Sequence, residues 1–477
     1  MRETTDGAKS VDTNNKMPLP THEGPFSPAY VRYALWVLLV IYTLNFVDRQ
    51  IVAILAEPIK QSLGLSDKQL GLLGGLAFAF FYTLLGIPIA RIAERGNRVR
   101  IISIAVVVWS GFTAVSGAAQ NFTHLLLSRI GVGVGEAGCT PPAHSLISDY
   151  VSPDKRASAL AFYSLGVPIG SALGFIIGAL IAQHFGWRTA FFAVGLPGIV
   201  IGILAWITLK EPRSLGLITK AHSSTAPSFK DALVELRSKK SYWYAVLAAT
   251  TVSFLGYGHA YFLPSFLTRV HEMGLAERGG AMAGMTLVSG VVGTLIGGIL
   301  ADKAARKDQR AYMSVPLVAF MLGIPFFWLA MFAQSASIAI LLLAIPTLLN
   351  SLWYGPVYAA VQSLVQPRTR ATAVAIMLFV VNMIGLGAGP TAIGFFSDYF
   401  AQHHFLTLGS GFDYSSFCKG GAQTAADQMC KIAQAEGIRW SLLTTSSVGI
   451  LAIIFFILAR KTIVEDLQAT EAEANAT

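Results

Sequence analysis

The chain has 477 residues with 35 Lys and Arg against 26 Asp and Glu, a formal net charge of +9, yet only 13% of its residues are charged and 54% are hydrophobic. Ordinary soluble domains carry about 25% charged residues, so a chain this poor in charge could not cover its own surface in water. Composition therefore excludes a soluble globular protein and points to the bilayer.

The first 30 residues are polar and Pro-containing, with neither a short apolar core nor an A-x-A site. No cleavable signal peptide is read there, and the first apolar run is expected to act as the insertion signal. About 20 helical residues cross ~30 Å of hydrocarbon. Twelve runs of that order follow, near 31–57, 68–92, 99–119, 122–149, 157–183, 187–209, 241–269, 278–303, 311–334, 336–365, 370–400 and 438–460. The expected architecture is an all-α polytopic membrane protein of two six-helix bundles. A cytoplasmic segment, 1–30, leads into the first bundle, 31–209; a cytoplasmic linker with an amphipathic helix, 210–240, leads into the second, 241–460. The acidic, apolar-poor stretch 461–477 reads as a disordered tail.

With both termini inside, the cytoplasmic segments hold 25 Lys and Arg and the outer loops 8, the positive-inside pattern of a multi-pass cell-membrane protein. The positive charge is spread over many short inner loops, which argues against a nucleic-acid partner.

Two charges, Asp48 and Arg49, sit side by side in the first span within "YTLNFVDRQIVAILAEP". A charge at the bilayer centre costs ~2.5 to more than ~10 kcal/mol, so partners are required. The fourth span supplies them. Arg129 and Glu136 are seven residues apart, two helical turns on one face. Arg129 matches Asp48 in depth. The expected pairs are Asp48 with Arg129 and Arg49 with Glu136, a cluster that is neutral overall and thus tolerable inside a bundle. It either locks the two helices together or relays protons, with Glu136 as first titrating group and Asp48 as second.

The same span contains Gly133, Gly135 and Gly138, which satisfy G-x-G-x-x-G without the preceding strand a dinucleotide site needs. Close helix packing is the reading instead. His144 and His259 are lone intramembrane histidines, read as polar packing groups. Phe254, Tyr257, Tyr261 and Phe262, with Trp353, Tyr354 and Tyr358, divide between core and cavity wall; Tyr257, Tyr261, Trp353, Tyr354 and Tyr358 are the wall candidates. Cys139 reads as a small packing residue. Cys418 and Cys430 fall in the long outer loop, where a disulfide can persist. No metal spacing, cofactor motif or catalytic constellation stands out.

The halves repeat. "VSPDKRASALA" from Val151 matches "VQPRTRATAVA" from Val365, and "ARIAERGNRVR" from Ala90 is echoed by "GILADKAARK" from Gly298. "GVPIGSALG" (Gly166, Pro168, Gly170, Gly174) has a partner in "GAGPTAIG" (Gly389, Pro390), and such residues allow transmembrane helices to bend and approach. Repeated halves with interrupted helices are how secondary transporters build alternating access.

These loops, the Gly-Pro motif and the fourth-span Arg resemble the major facilitator superfamily. "LNFVDRQIVA", "GVGEAGCTPPAHSLISDY" and "LPSFL" resemble, more narrowly, its Spinster family, over about 31–460. Ala90, Glu94 and Val99 depart from the family's usual Gly, Asp and base, whereas Gly298, Asp302 and Lys303 keep the pattern. The resemblance implies a monomeric, proton-coupled rocker-switch transporter of a lysolipid- or sphingolipid-like amphiphile. It implies that Glu94, Arg95, Arg98, Asp302 and Lys303 form loops that gate the inner side. It also links the buried acids to coupling, and Arg49 and Arg129 would then meet a charged head group. A proton-linked exporter of drugs or metabolites, and a membrane sensor on the same scaffold, are the alternatives.

Overall fold

The computed structural model describes residues 26–216, 229–408, 414–418 and 425–475, all helix and short connections without a strand among them. Among the described residues, ten helices are long and apolar enough to cross a bilayer. They become twelve spans when two local features are read. Pro153–Thr208 contains Gly186 at φ +83°, a left-handed conformation that glycine adopts without penalty, and the chain reverses there. Phe122–Glu136 and Thr140–Tyr150 make up one further span, interrupted where Pro141 and Pro142 cannot donate backbone hydrogen bonds.

In chain order the spans are α1 (Pro28–Ile54), α2 (Asp67–Glu94), α3 (Arg98–Ser116), α4 (122–150), α5 (156–185) and α6 (187–208). The second half holds α7 (Lys240–His271), α8 (Leu275–Ala305), α9 (Ala311–Met331), α10 (Ala336–Ser363), α11 (Arg370–Thr407) and α12 (Gln428–Glu473). The linker contributes the helix Phe229–Ser238.

Small residues set the packing. Along α5, Gly166, Gly170 and Gly174 face Tyr42, Thr43 and Val47 of α1 in the same order, so the two helices run parallel. A Cβ on Gly174 would lie 2.9 Å from the Val47 carbonyl oxygen, which leaves no room for a side chain. In the second half Gly385 and Gly389 of α11 press on Ser253 and Phe254 of α7. The Gly-Pro motifs thus occupy equivalent seams, α5 on α1 and α11 on α7. Glycines of α6 meet α3 in reverse order, Gly195 at Ala114 and Gly202 at Ser103, as the turn at Gly186 requires.

The end of the molecule at which α1 begins and α12 ends is the terminal face, and the opposite end is the far face. The halves touch from the far face to mid-depth: Gly71 on Pro390, Gly75 on Gly387, Gly279 on Ala179, and Gly290 on Pro168. Among the described residues, no hydrogen bond or ion pair joins the two halves at the terminal face. The cleft between them therefore opens at that face.

Each half is braced there by its own chain. In the first, buried Arg98 donates to Glu211 through its backbone N–H at 2.7 Å and to Asp149 through Nη1 at 2.6 Å. In the second, the Glu235 carboxylate of the linker helix accepts from the Gln366 N–H and the Thr369 hydroxyl.

The stretch expected to be a disordered tail is instead helical to Asn475. Its acidic residues find donors: Asp466 accepts from the Ser241 N–H at 2.7 Å, and Glu473 pairs with Lys239 at 3.1 Å. Ile463 and Leu467, a helical turn apart, are buried in the core of the second half. Four-residue spacing supplied an apolar stripe that average composition had hidden.

Candidate functional site

The cluster around α1 and α4 lies at mid-depth between the halves. Gly133 packs on the Phe78 carbonyl of α2 and Gly135 on Trp109 of α3, so the glycine-rich stretch is a packing surface that draws α4 inward. That places Glu136 against α1. Arg49 donates through Nε to Glu136 Oε2 at 2.8 Å, with Nη2 also 2.8 Å away, so the expected contact forms. The other Glu136 oxygen has no hydrogen-bond partner among the described residues.

Asp48 and Arg129 do not form the expected ion pair. Both are buried, at 1% and 2% exposure, and among the described residues Asp48 Oδ1 and Arg129 Nε and Nη1 have no hydrogen-bond partner. Depth matching set their height but not the direction in which each side chain points. The Arg129 guanidinium instead stands 5.3 Å from the Phe78 ring centroid, and that of Arg49 5.0 Å from the same ring. Arg49 also lies 4.7 Å from Tyr82 and 5.0 Å from Phe46. Cation–π contact thus takes part of the role assigned to carboxylates.

Of the wall candidates, Tyr354 is 41% exposed, while Tyr257 and Tyr358 are half-buried. Tyr257 is within electrostatic reach of Arg49. Trp353 is not wall: it is buried in the second half's core, with Tyr354 stacked over it at 4.2 Å. Tyr261 is buried against Gly74. Sequence reasoning overlooked Tyr42, Phe46, Phe78 and Tyr82, which surround Arg49 from α1 and α2. Their signal was aromatic residues at helical spacing, 42 with 46 and 78 with 82.

Also overlooked was a charged lock on the far face. Arg269 at the end of α7 grips Asp67 with two bonds, at 2.6 and 2.7 Å, and reaches Glu57 at 2.6 Å. Asp67 further accepts from Lys60 at 2.7 Å and from the Ser397 hydroxyl of α11 at 2.6 Å. Asp398 accepts from the Asp67 and Lys68 N–H groups. The readable signal was the set of opposite charges at span ends.

Among the gating candidates, Arg98 is buried and bonded within its own half. No ion pair reaches Glu94, Asp302 or Lys303 among the described residues, and Arg95's side chain lies outside them. His144 edges onto Tyr163, and His259 stacks on Phe327. Cys139 is buried and free, whereas Cys418 and Cys430 form a disulfide with Cα atoms 5.6 Å apart.

Twelve spans in two packed halves, a buried charge cluster between them and a cleft open at one end define the class, and the chain matches the Major Facilitator Superfamily over residues 38–390. It is 34% identical to an MFS-type efflux pump of Mycolicibacterium smegmatis, over 79% of this chain and 87% of that one. It is 30% identical to the Sphingosine-1-phosphate transporter SPNS2 of Xenopus tropicalis, over 86% and 83%. A crystal structure of a bacterial homolog to the human lysosomal transporter Spinster, inward-facing and unoccupied, superimposes with a TM-score of 0.83 at 34% identity, over 92% of this chain and 99% of that one. The protein belongs to the Spinster family of the major facilitator superfamily, and it is a polytopic membrane transporter rather than an enzyme.

Proposed function

We propose that the protein is a proton-coupled transporter of a lysolipid- or sphingolipid-like amphiphile, working by alternating access with both termini cytoplasmic in the cell membrane. The observation that carries this reading is the Arg49–Glu136 pair beside buried Asp48 and Arg129, which have no hydrogen-bond partner among the described residues at the atoms named above. Protonating Glu136 would release Arg49, whose forked donors suit a phosphate head group. Tyr257, Tyr354 and Tyr358 would flank the apolar part. The positive-inside asymmetry supports a cytoplasmic position for the open terminal face. Glu94, Arg95, Asp302 and Lys303 would then meet the opposite half only when that face closes, while Arg98 stays bonded within its own half.

The test is lysolipid flux into proteoliposomes under an imposed pH gradient. Glu136→Gln keeps shape but cannot exchange a proton, so gradient-driven flux should fall at least tenfold while the protein stays folded by size-exclusion chromatography. Asp48→Asn should do similar damage. Wild-type coupled flux in folded Glu136→Gln would remove the relay.

A second reading is extrusion of drugs or small metabolites, favoured by the 34% identity to an efflux pump. Flux of cationic drugs in the same liposomes, without lysolipid flux, would select it.

A further inference from the structure

We infer that Asn45 of α1 is a positioning residue for proton uptake, and that the proton on Glu136 is held at Oε1 against the Asn45 side-chain oxygen. This rests on the reading of Glu136 as the group that takes up the proton. Asn45 is uncharged but as deeply buried as the cluster, at 1% exposure. Helical geometry brings it there. Asn45 and Arg49 are four residues apart on α1, so they share a face. Side chains lean towards the start of their helix, which carries the long Arg49 back over the turn of Asn45. Both then meet the same carboxyl. Arg49 takes Glu136 Oε2 through Nε and Nη2, each at 2.8 Å, and the Asn45 amide stands within hydrogen-bonding reach of Glu136.

These contacts leave two acceptors over. Glu136 Oε1 and Asn45 Oδ1 are both shut off from solvent and have no hydrogen-bond partner among the described residues. Buried oxygens left in that condition are costly. Two such oxygens cannot bond to each other without a hydrogen, and one proton on Oε1 supplies it. Glu136 then donates to Asn45 Oδ1, and no other covalent bond changes. An ionised Glu136 needs a donor instead, which the NH2 group of the same amide provides after a half-turn. Asparagine thus serves both charge states. Leucine serves neither, and an ionised aspartate only accepts.

The surroundings favour Glu136 over Asp48 as the seat of the proton. Asp48 has Trp109 and Thr113 of α3 beside it. An indole N–H can only donate, company that suits a carboxylate rather than an acid. The other charged or titratable groups within electrostatic reach of Glu136 are Arg129 and Cys139 on its own helix, while its partner Arg49 faces Tyr82 of α2 and Tyr257 of α7. Among the described residues none of them gives Oε1 a hydrogen bond.

The experiment is infrared difference spectroscopy between acidic and neutral pH on the full-length protein in lipid films. The C=O stretch of a protonated carboxyl stands apart from other protein bands, and its frequency falls when the O–H donates a hydrogen bond. The wild type should show a band of this kind that Glu136→Gln lacks. Asn45→Leu, close in size to the native residue, should move that band to higher frequency. A second measurement needs no substitution at Asn45. In protein made with isotope-labelled asparagine, a side-chain amide band should shift to lower frequency on acidification, and should stay still in Glu136→Gln. An acid band left in place by Asn45→Leu that is folded by size-exclusion chromatography overturns the proposal. A labelled amide indifferent to pH in the wild type, while the acid band appears, overturns it as well. In both of those outcomes Glu136 still takes up a proton, so the coupling reading survives. The absence of any Glu136-dependent band at any pH would instead overturn that reading, and this inference with it.

Discussion

Phe78 stands against two guanidinium groups, and this shapes how the charge cluster works. A cation over an aromatic face gains ~0.5 to 2 kcal/mol, the more so where water is excluded. Arg49 has three such rings besides its carboxylate partner, so it can part from Glu136 without being stranded. Arg49→Ala should therefore weaken binding of phosphate-bearing lysolipids by about tenfold or more, and that of their uncharged counterparts little, in titrations of purified protein. Equal losses would leave Arg49 a structural partner of Glu136. The cluster was half legible in the sequence. Helical angle put Glu136 on the face of Arg129, and the Arg49–Glu136 contact could be anticipated. The orientation of Arg129 could not, because it stands over the ring of Phe78, a residue that only the packing of α2 brings near.

Element ends carry information that hydropathy averages away. Glu211, just past α6, is buried, which by itself would raise its carboxyl, but its hydrogen bonds and ion pair with Arg98 outweigh that and hold it below the usual carboxylate range. A carboxyl lowered in the folded state contributes stability above its unfolded value, and that contribution is lost as pH falls through the folded one. Thermal unfolding in detergent should thus show Glu211→Gln well below the wild type near neutral pH, with the gap narrowing on acidification. A gap independent of pH would mean that Arg98 owes its place to packing. The end of α12 makes the opposite lesson. Its acidic composition suggested disorder, yet the placement of Ile463, Asp466, Leu467 and Thr470 is that of a docked helix, with the Thr470 hydroxyl donating to the Leu364 carbonyl at 2.9 Å. Removing residues 461–477 should lower the melting temperature by several degrees. The spans themselves were legible because twenty apolar residues have few other fates; where Pro141 and Gly186 interrupt them, local backbone chemistry decided.

Across the whole molecule, one carboxylate ties three segments together on the far face. Asp67 is held by Arg269 of α7, Ser397 of α11 and Lys60, so the far face cannot part without surrendering several bonds at once. Breaking a buried pair by removing one partner costs ~3 to 5 kcal/mol, because the remaining charge is left without compensation. Asp67→Asn combined with Arg269→Gln removes both charges and should raise the population open at the far face. Spin labels on the far ends of α2 and α11 would read this as longer distances; an unchanged distribution would show that the glycine seams alone hold that end shut. The α12 helix adds a mechanical consequence. It is two helices, Ala425–Ser447 and Gly449–Asn475, joined at Val448, and the 46 residues Gln428–Glu473 trace about 69 Å of helix at 1.5 Å per residue, more than twice the hydrocarbon thickness. One end carries the Cys430 disulfide and the other the Lys239–Glu473 pair. It is a lever arm fastened at both ends, so a rigid antibody fragment seated on its far tip would tilt with the second half and serve as a fiducial for the rocking angle.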